Sequence, residues 1–327
     1  MSKSLKTFGY TQTGGTVSGA GSFTVTDSFS QSLPKVDSLV GQPVGGSVNQ
    51  SAGSIAMGGA VSIHQTSGNL ALRSISGSSI NLEAPSGAIS QSAALATAGL
   101  LKATAANGVV LNDAGNAVSA FSATTTGTGD VALTNVGALE VQEVTVANGQ
   151  FVLQNTGAVK TSGVITVHTG GLDVTAHSPI TINNTISADG GIKLTALNPE
   201  PSSNITINGS MTSSAGGISV AAYNNFVQNA NLKAALAIDV ETTVGAVKFG
   251  PSALSVGNPV SYEVNGAPYV PPWIASTVSG GANDFVATFL DKFEAAVDAQ
   301  VALGDDPLGA KKRAKEGVVV EGESCKP

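Results

Sequence analysis

Seven short segments of this chain repeat one pattern at nearly constant spacing, and that periodicity restricts the possible folds more than any other feature. They are GNLALRS from Gly68, NGVVLND from Asn107, GDVALTN from Gly129, GQFVLQN from Gly149, GGLDVTA from Gly170, GGIKLTA from Gly190 and GGISVAA from Gly216. Each is a turn signal followed by apolar-x-apolar and a small or polar residue. From Asn107 the successive offsets are 22, 20, 21, 20 and 26, and the 39 residues from Gly68 to Asn107 correspond to two units. A fixed period in this range marks a solenoid, whose units bury a core only by stacking.

Between these anchors lie second strands with the same alternation: Ile80/Leu82, Leu139/Val141, Val144/Val146, Ile180/Ile182 and Ile205/Ile207. Period-2 alternation puts those side chains on one face of a pleated strand. Asn107-Gly108, Asn148-Gly149, Asp189-Gly190 and Asn208-Gly209 separate the strands, as glycine does where the backbone must adopt left-handed angles. Each unit of about 20 residues then holds two or three strands with corners between them. The expected fold is all-β: a right-handed parallel β-helix with inward Val, Ile and Leu, and outward ladders of Thr, Ser, Asn and Gln. At about 4.8 Å per rung, roughly ten coils make a rod of order 50 Å. Hairpin sandwiches also use short strands, but they do not hold a turn signal in step over so many units.

Composition agrees. Charged residues are 11% of the 327, aromatics 5%, and the hydrophobic 42% is mostly small and branched, enough to line a narrow core. A disordered chain would carry more charge and fewer β-branched residues. The net charge of −7 is unlike that of a nucleic-acid binder, which needs basic patches to neutralise phosphates. A single cysteine, Cys325, excludes an internal disulfide framework and zinc-finger sites. No run of 18 apolar residues suggests a transmembrane helix. The start MSKSLKTFGYTQTGG lacks the apolar stretch of a secretory signal. The chain is therefore expected to be the C-terminal portion of a longer polypeptide that carries the export signal.

Along the chain, residues 1–50 read as irregular strands or first coils, with an alternating run from Phe23, and residues 51–249 as the β-helix. The insertion Asn198 to Asn204 (NPEPSSN) explains the spacing of 26 and is expected to bulge as a surface loop, with Asn198, Pro199, Glu200 and Pro201 available for binding. Residues 250–282 read as a Pro-rich connector, since Pro271-Pro272 forbids helix. Residues 283–304 read as an amphipathic helix, capped by Asn283 and stopped by Gly304, with Phe285, Phe289, Phe293 and Val297 in one stripe. Such a helix suits the open end of a solenoid, which is an aggregation-prone edge. Residues 305–327 form a charged tail containing Lys311, Lys312, Arg313 and Lys315.

Catalysis on a coiled scaffold needs clustered acids and a base on one face. The acids here are scattered: Asp113, Asp130, Glu140, Glu143, Asp173 and Asp189. Glu140 and Glu143, at odd spacing on one strand, are expected to face opposite sides, which is wrong for paired acid–base work. His64, His168 and His177 read as isolated surface histidines; only Asp173 lies near the last two, so no metal site is expected. Four N-glycosylation sequons, at Asn49, Asn183, Asn204 and Asn208, are what chance gives in so Ser/Thr-rich a chain. The chain is expected to be non-enzymatic and to need no cofactor.

The GG-apolar-x-apolar repeat and the low-charge, Asn/Thr/Ala-rich coils over residues 50–248 resemble large exoproteins of the filamentous haemagglutinin type, two-partner-secretion adhesins built as long β-helices. The end, a Pro-rich connector, an amphipathic helix and a tail closing on Cys325-Lys326-Pro327, resembles the C-termini of some members. In some of these a C-terminal cysteine pair helps tether the protein; Cys325 is the one counterpart here. The resemblance implies a structural and adhesive rod on a bacterial surface or outside the cell. Its partners would be receptors or glycans of host or neighbouring cells, with an outer-membrane transporter during export. A carbohydrate-active β-helix enzyme, or an inert stalk, is the alternative.

Overall fold

The computed structural model describes residues 5–12, 16–21, 23–31, 48–49, 53–251 and 253–271. The helix expected over 283–304, the tail with Cys325 and the end of the connector from residue 272 lie outside them. The chain divides into two units, residues 1–267 and 268–327, and the first holds the coils.

From Val48 onward, each successive coil among the described residues contributes a strand to a twelve-stranded sheet. Eleven of its strands run from Val48–Asn49 through Leu70–Leu72, Ile89–Gln91, Val109–Leu111, Val131–Asn135, Phe151–Asn155, Leu172–Ala176, Ile192–Ala196, Ile218–Ala222 and Ile238–Thr242 to Val260–Val264. Each is paired in parallel with the next. All seven sequence anchors lie in this sheet. The 39-residue interval holds one further rung, Ile89–Gln91, so it is two coils. Parallel pairing between strands some 20 residues apart, with no intervening helix, is a β-solenoid.

A second, twenty-stranded sheet supplies the other two faces. In most coils these faces are separate short strands, such as Val159–Thr161 and Ile165–Val167. In three central coils one strand runs round the corner: Leu95–Ala105, Ala117–Thr128 and Leu139–Asn148. The register slips where they turn, between Thr97 and Leu100 and between Phe121 and Ser122. An extra residue at a bulge bends its strand and resets which side chains point inward.

The core is a set of ladders along the shaft. Val131, Phe151, Leu172, Ile192, Ile218 and Ile238 stack in register and are 0–2% exposed. Phenylalanines are flanked by smaller residues in their ladders: Phe121 lies between Leu101 and Val141, and Phe226 between Ile205 and Val247. Stacking of this kind keeps the cross-section nearly constant, as close packing requires. Fully burying each Val, Ile, Leu or Phe contributes about 1.5–3 kcal/mol.

Glycine has two separate roles at the corners. Gly108 and Gly149 have φ of 100° and 149°, which L side chains rarely adopt. The glycines of Asp189-Gly190 and Asn208-Gly209 do not serve a left-handed backbone. A Cβ on Gly190 would lie 2.8 Å from Gly170 C, and one on Gly209 2.3 Å from Asn184 O, so the neighbouring coil excludes any side chain.

The polar ladders also differ from expectation, because several asparagines and glutamines point inward. Asn116 and Asn135 are fully buried and Asn155 is 3% exposed. Asn116 Oδ1 accepts from Leu95 N (2.8 Å) and Gln91 Nε2 (2.7 Å), and its amide donates to Leu111 O and Thr134 O. Asn135 Oδ1 accepts from Val118 N (2.7 Å), and its amide donates to Asn155 Oδ1 at 2.9 Å. These side chains replace backbone partners lost where the chain turns a corner, and a buried backbone N–H must be satisfied somewhere.

Coil stacking continues beyond residue 249. Ser255–Val256 pairs with Leu232–Ala234, and Val260–Val264 pairs with Ile238–Thr242, both in parallel. The start of the Pro-rich stretch therefore builds a further coil. Its polar centre is Tyr262, whose hydroxyl lies 2.7 Å from Ser255 Oγ and donates to Gln228 Oε1 at 3.1 Å. Among the described residues no helix is long and apolar enough to cross a membrane.

Candidate functional site

With the core sealed by ladders, the surfaces left for chemistry are the outer faces. On three-residue strands only the middle side chain points out, giving one column per face. One such column is Thr104, Thr124, Thr145, Thr166, Ser187, Thr212 and Lys233, with each in register with the next. Five-residue strands carry two outward columns, so the twelve-stranded sheet has the richer surface.

The first column of that sheet is Asp173, Lys193, Ser219, Asp239 and Ser261. Lys193 Nζ lies 3.4 Å from Asp173 Oδ2, and Ser261 Oγ donates to Asp239 Oδ1. The second column ends in Ala221, Glu241 and Glu263. Beside the first column runs a row without large side chains, Gly171, Gly191, Gly217 and Ala237, closed at one end by Gln150. Together they line an open groove of about 570 Å³, with Leu236, 57% exposed, on its rim. A smaller hollow of about 190 Å³ continues it, lined by Ser219, Asp239, Glu241, Ser261 and Glu263 among others.

Elsewhere the ionisable groups sit in separate local pairs. His64 Nδ1 lies 2.6 Å from Glu83 Oε2, and Asn81 donates to Glu83 Oε1 at 3.0 Å. The Asn81 hydrogen bond and then His64 hold the Glu83 carboxyl below its ordinary value, against a smaller opposing effect of burial. Glu140 accepts from Ser162 Oγ (2.6 Å) and pairs with Lys160 Nζ (3.1 Å); these contacts, Ser162 first, lower its pKa.

Glu140 and Glu143 do not face opposite sides of the wall. Both lie outside the buried ladder of Leu139, Val141 and Val144, because the strand turns a corner at Gln142 and breaks the period-2 rule. Glu140 lies on the face of Lys160, and Glu143 is exposed beyond the turn. His168 and His177 are exposed and Asp173 pairs with Lys193, so the structure does not bring the three together. Among the described residues no group of three or more His, Cys, Asp or Glu is placed to hold a metal ion.

The insertion at Asn198 stands out from a corner. Pro199, Glu200, Pro201 and Ser202 are exposed and Asn198 is half-buried. Ser203 is fully buried and anchors the loop by donating to His177 O at 3.2 Å, while Asn224 donates to Pro201 O at 2.6 Å. The amides of Asn183, Asn208 and Asn229 form an outer ladder, with Nδ2–Oδ1 contacts of 2.9 and 2.8 Å. Sequence alone gives no sign of the groove, because its lining residues become neighbours only when coils stack.

Residues 58–125 and 128–192 of the chain are each similar to a family described as repeats of unknown function (DUF5649). Each match spans about three coils, and the break between them falls at the Gly127 to Gly129 corner. No curated protein and no solved structure matches the chain. By sequence and by structure the protein is a repeat-built β-solenoid.

Proposed function

We propose that the chain is a structural and adhesive segment of a bacterial surface or secreted adhesin of the filamentous haemagglutinin type, binding through its outer faces without catalysis. The supporting observation is the unbroken register of outward columns over successive coils. A surface of that kind offers many equivalent weak contacts in a line, and repeated contacts raise avidity without any single deep site. Three of the acids are held in separate ion pairs, Glu83 with His64, Glu140 with Lys160 and Asp173 with Lys193, while Asp239, Glu241 and Glu263 share the hollow on the twelve-stranded sheet. Receptors or glycans of host or neighbouring cells would be the partners, and an outer-membrane transporter would deliver the chain to the exterior.

The experiment is adhesion of beads coated with the purified protein to bacterial and epithelial cells, together with incubation of the protein with polysaccharides. Saturable adhesion, competed by soluble protein and without release of reducing ends or unsaturated sugars, is expected. Polysaccharide cleavage that Glu140→Gln or Glu83→Gln abolishes would establish the enzyme alternative.

A further inference from the structure

We draw no further inference here: the strongest candidate, the corner patch where Leu197, Tyr223 and Val244 follow one another on successive coils beside the Asn198 loop, is an apolar surface for which nothing in the structure shows what covers it.

Discussion

Replacing Asn135 by leucine should destabilise the centre of the shaft far more than its modest change in volume suggests. The side chain is fully buried and makes four hydrogen bonds: it accepts from Val118 N at 2.7 Å and donates to Val118 O, Val136 O and Asn155 Oδ1, the last at 2.9 Å. Leucine leaves the Val118 N–H and the Asn155 carbonyl oxygen buried without these partners. An orphaned buried polar group costs about 1–3 kcal/mol, so the two together cost about 2–6 kcal/mol before any relaxation. On the same strand Thr134 faces outward, half-exposed, and Thr134→Ala should cost under about 0.5 kcal/mol. Unfolding of a stacked array need not be two-state, so the assay pairs urea denaturation with amide hydrogen exchange at Val118. The expected result is a loss of at least about 2 kcal/mol together with lost protection of the Val118 amide. A loss below about 0.5 kcal/mol with Val118 still protected would refute a structural role for the inward amides.

Three further perturbations test other parts of the structure. Gly163→Ala would place a Cβ 1.1 Å from Gln142 O, so it should disrupt the corner and lower the unfolding midpoint steeply, while Gly191→Ala should leave it nearly unchanged. Because the Glu83 carboxyl is held below its ordinary value of 4.5 by Asn81 and His64, its contribution is fully present above that pH and is lost as pH falls through the lowered folded value. Glu83→Gln should accordingly flatten the acid limb of a plot of melting temperature against pH; an unchanged limb would contradict the assignment. Tyr262→Phe removes contacts to Ser255 and Gln228 and should cost about 0.5–1.5 kcal/mol, seen as faster exchange in the last coil. Burial raises the Tyr262 pKa, so the folded state keeps the phenol neutral; that stabilisation is present below the unfolded pKa and is lost as pH rises through the raised value. Absorbance titration should show late ionisation of one tyrosine.

Much of the architecture is legible because stacked coils turn a three-dimensional repeat into a linear one. Each anchor carries its own apolar-x-apolar register, so Val131/Leu133 and Phe151/Leu153 announce both strand and inward face. The same rule, extended by two residues, places Asn135 and Asn155 inside; polarity suggests the surface, and the need to satisfy corner amides prevails. The rung at Ile89–Gln91 is masked because an inward position is occupied by Gln91, whose amide bonds Asn116. Glu140 and Glu143 depart from expectation because alternation assumes a straight strand, and theirs turns a corner. The groove is the least accessible feature. Asp173, Lys193, Ser219 and Asp239 are far apart in sequence, and only the individual coil lengths, including the 26-residue step, bring them into one column.

The claim beneath all of these is that one rung of the shaft corresponds to one repeat of the chain. Double electron–electron resonance with paired spin labels on the outward column measures it directly, in a Cys325→Ser background. Thr104 and Ser187 are four rungs apart and Thr104 and Lys233 six, so the mean distances should be about 19 and 29 Å, rising by about 4.8 Å per coil. Distances that fail to grow with the number of intervening repeats, as hairpin pairing would produce, would contradict the account.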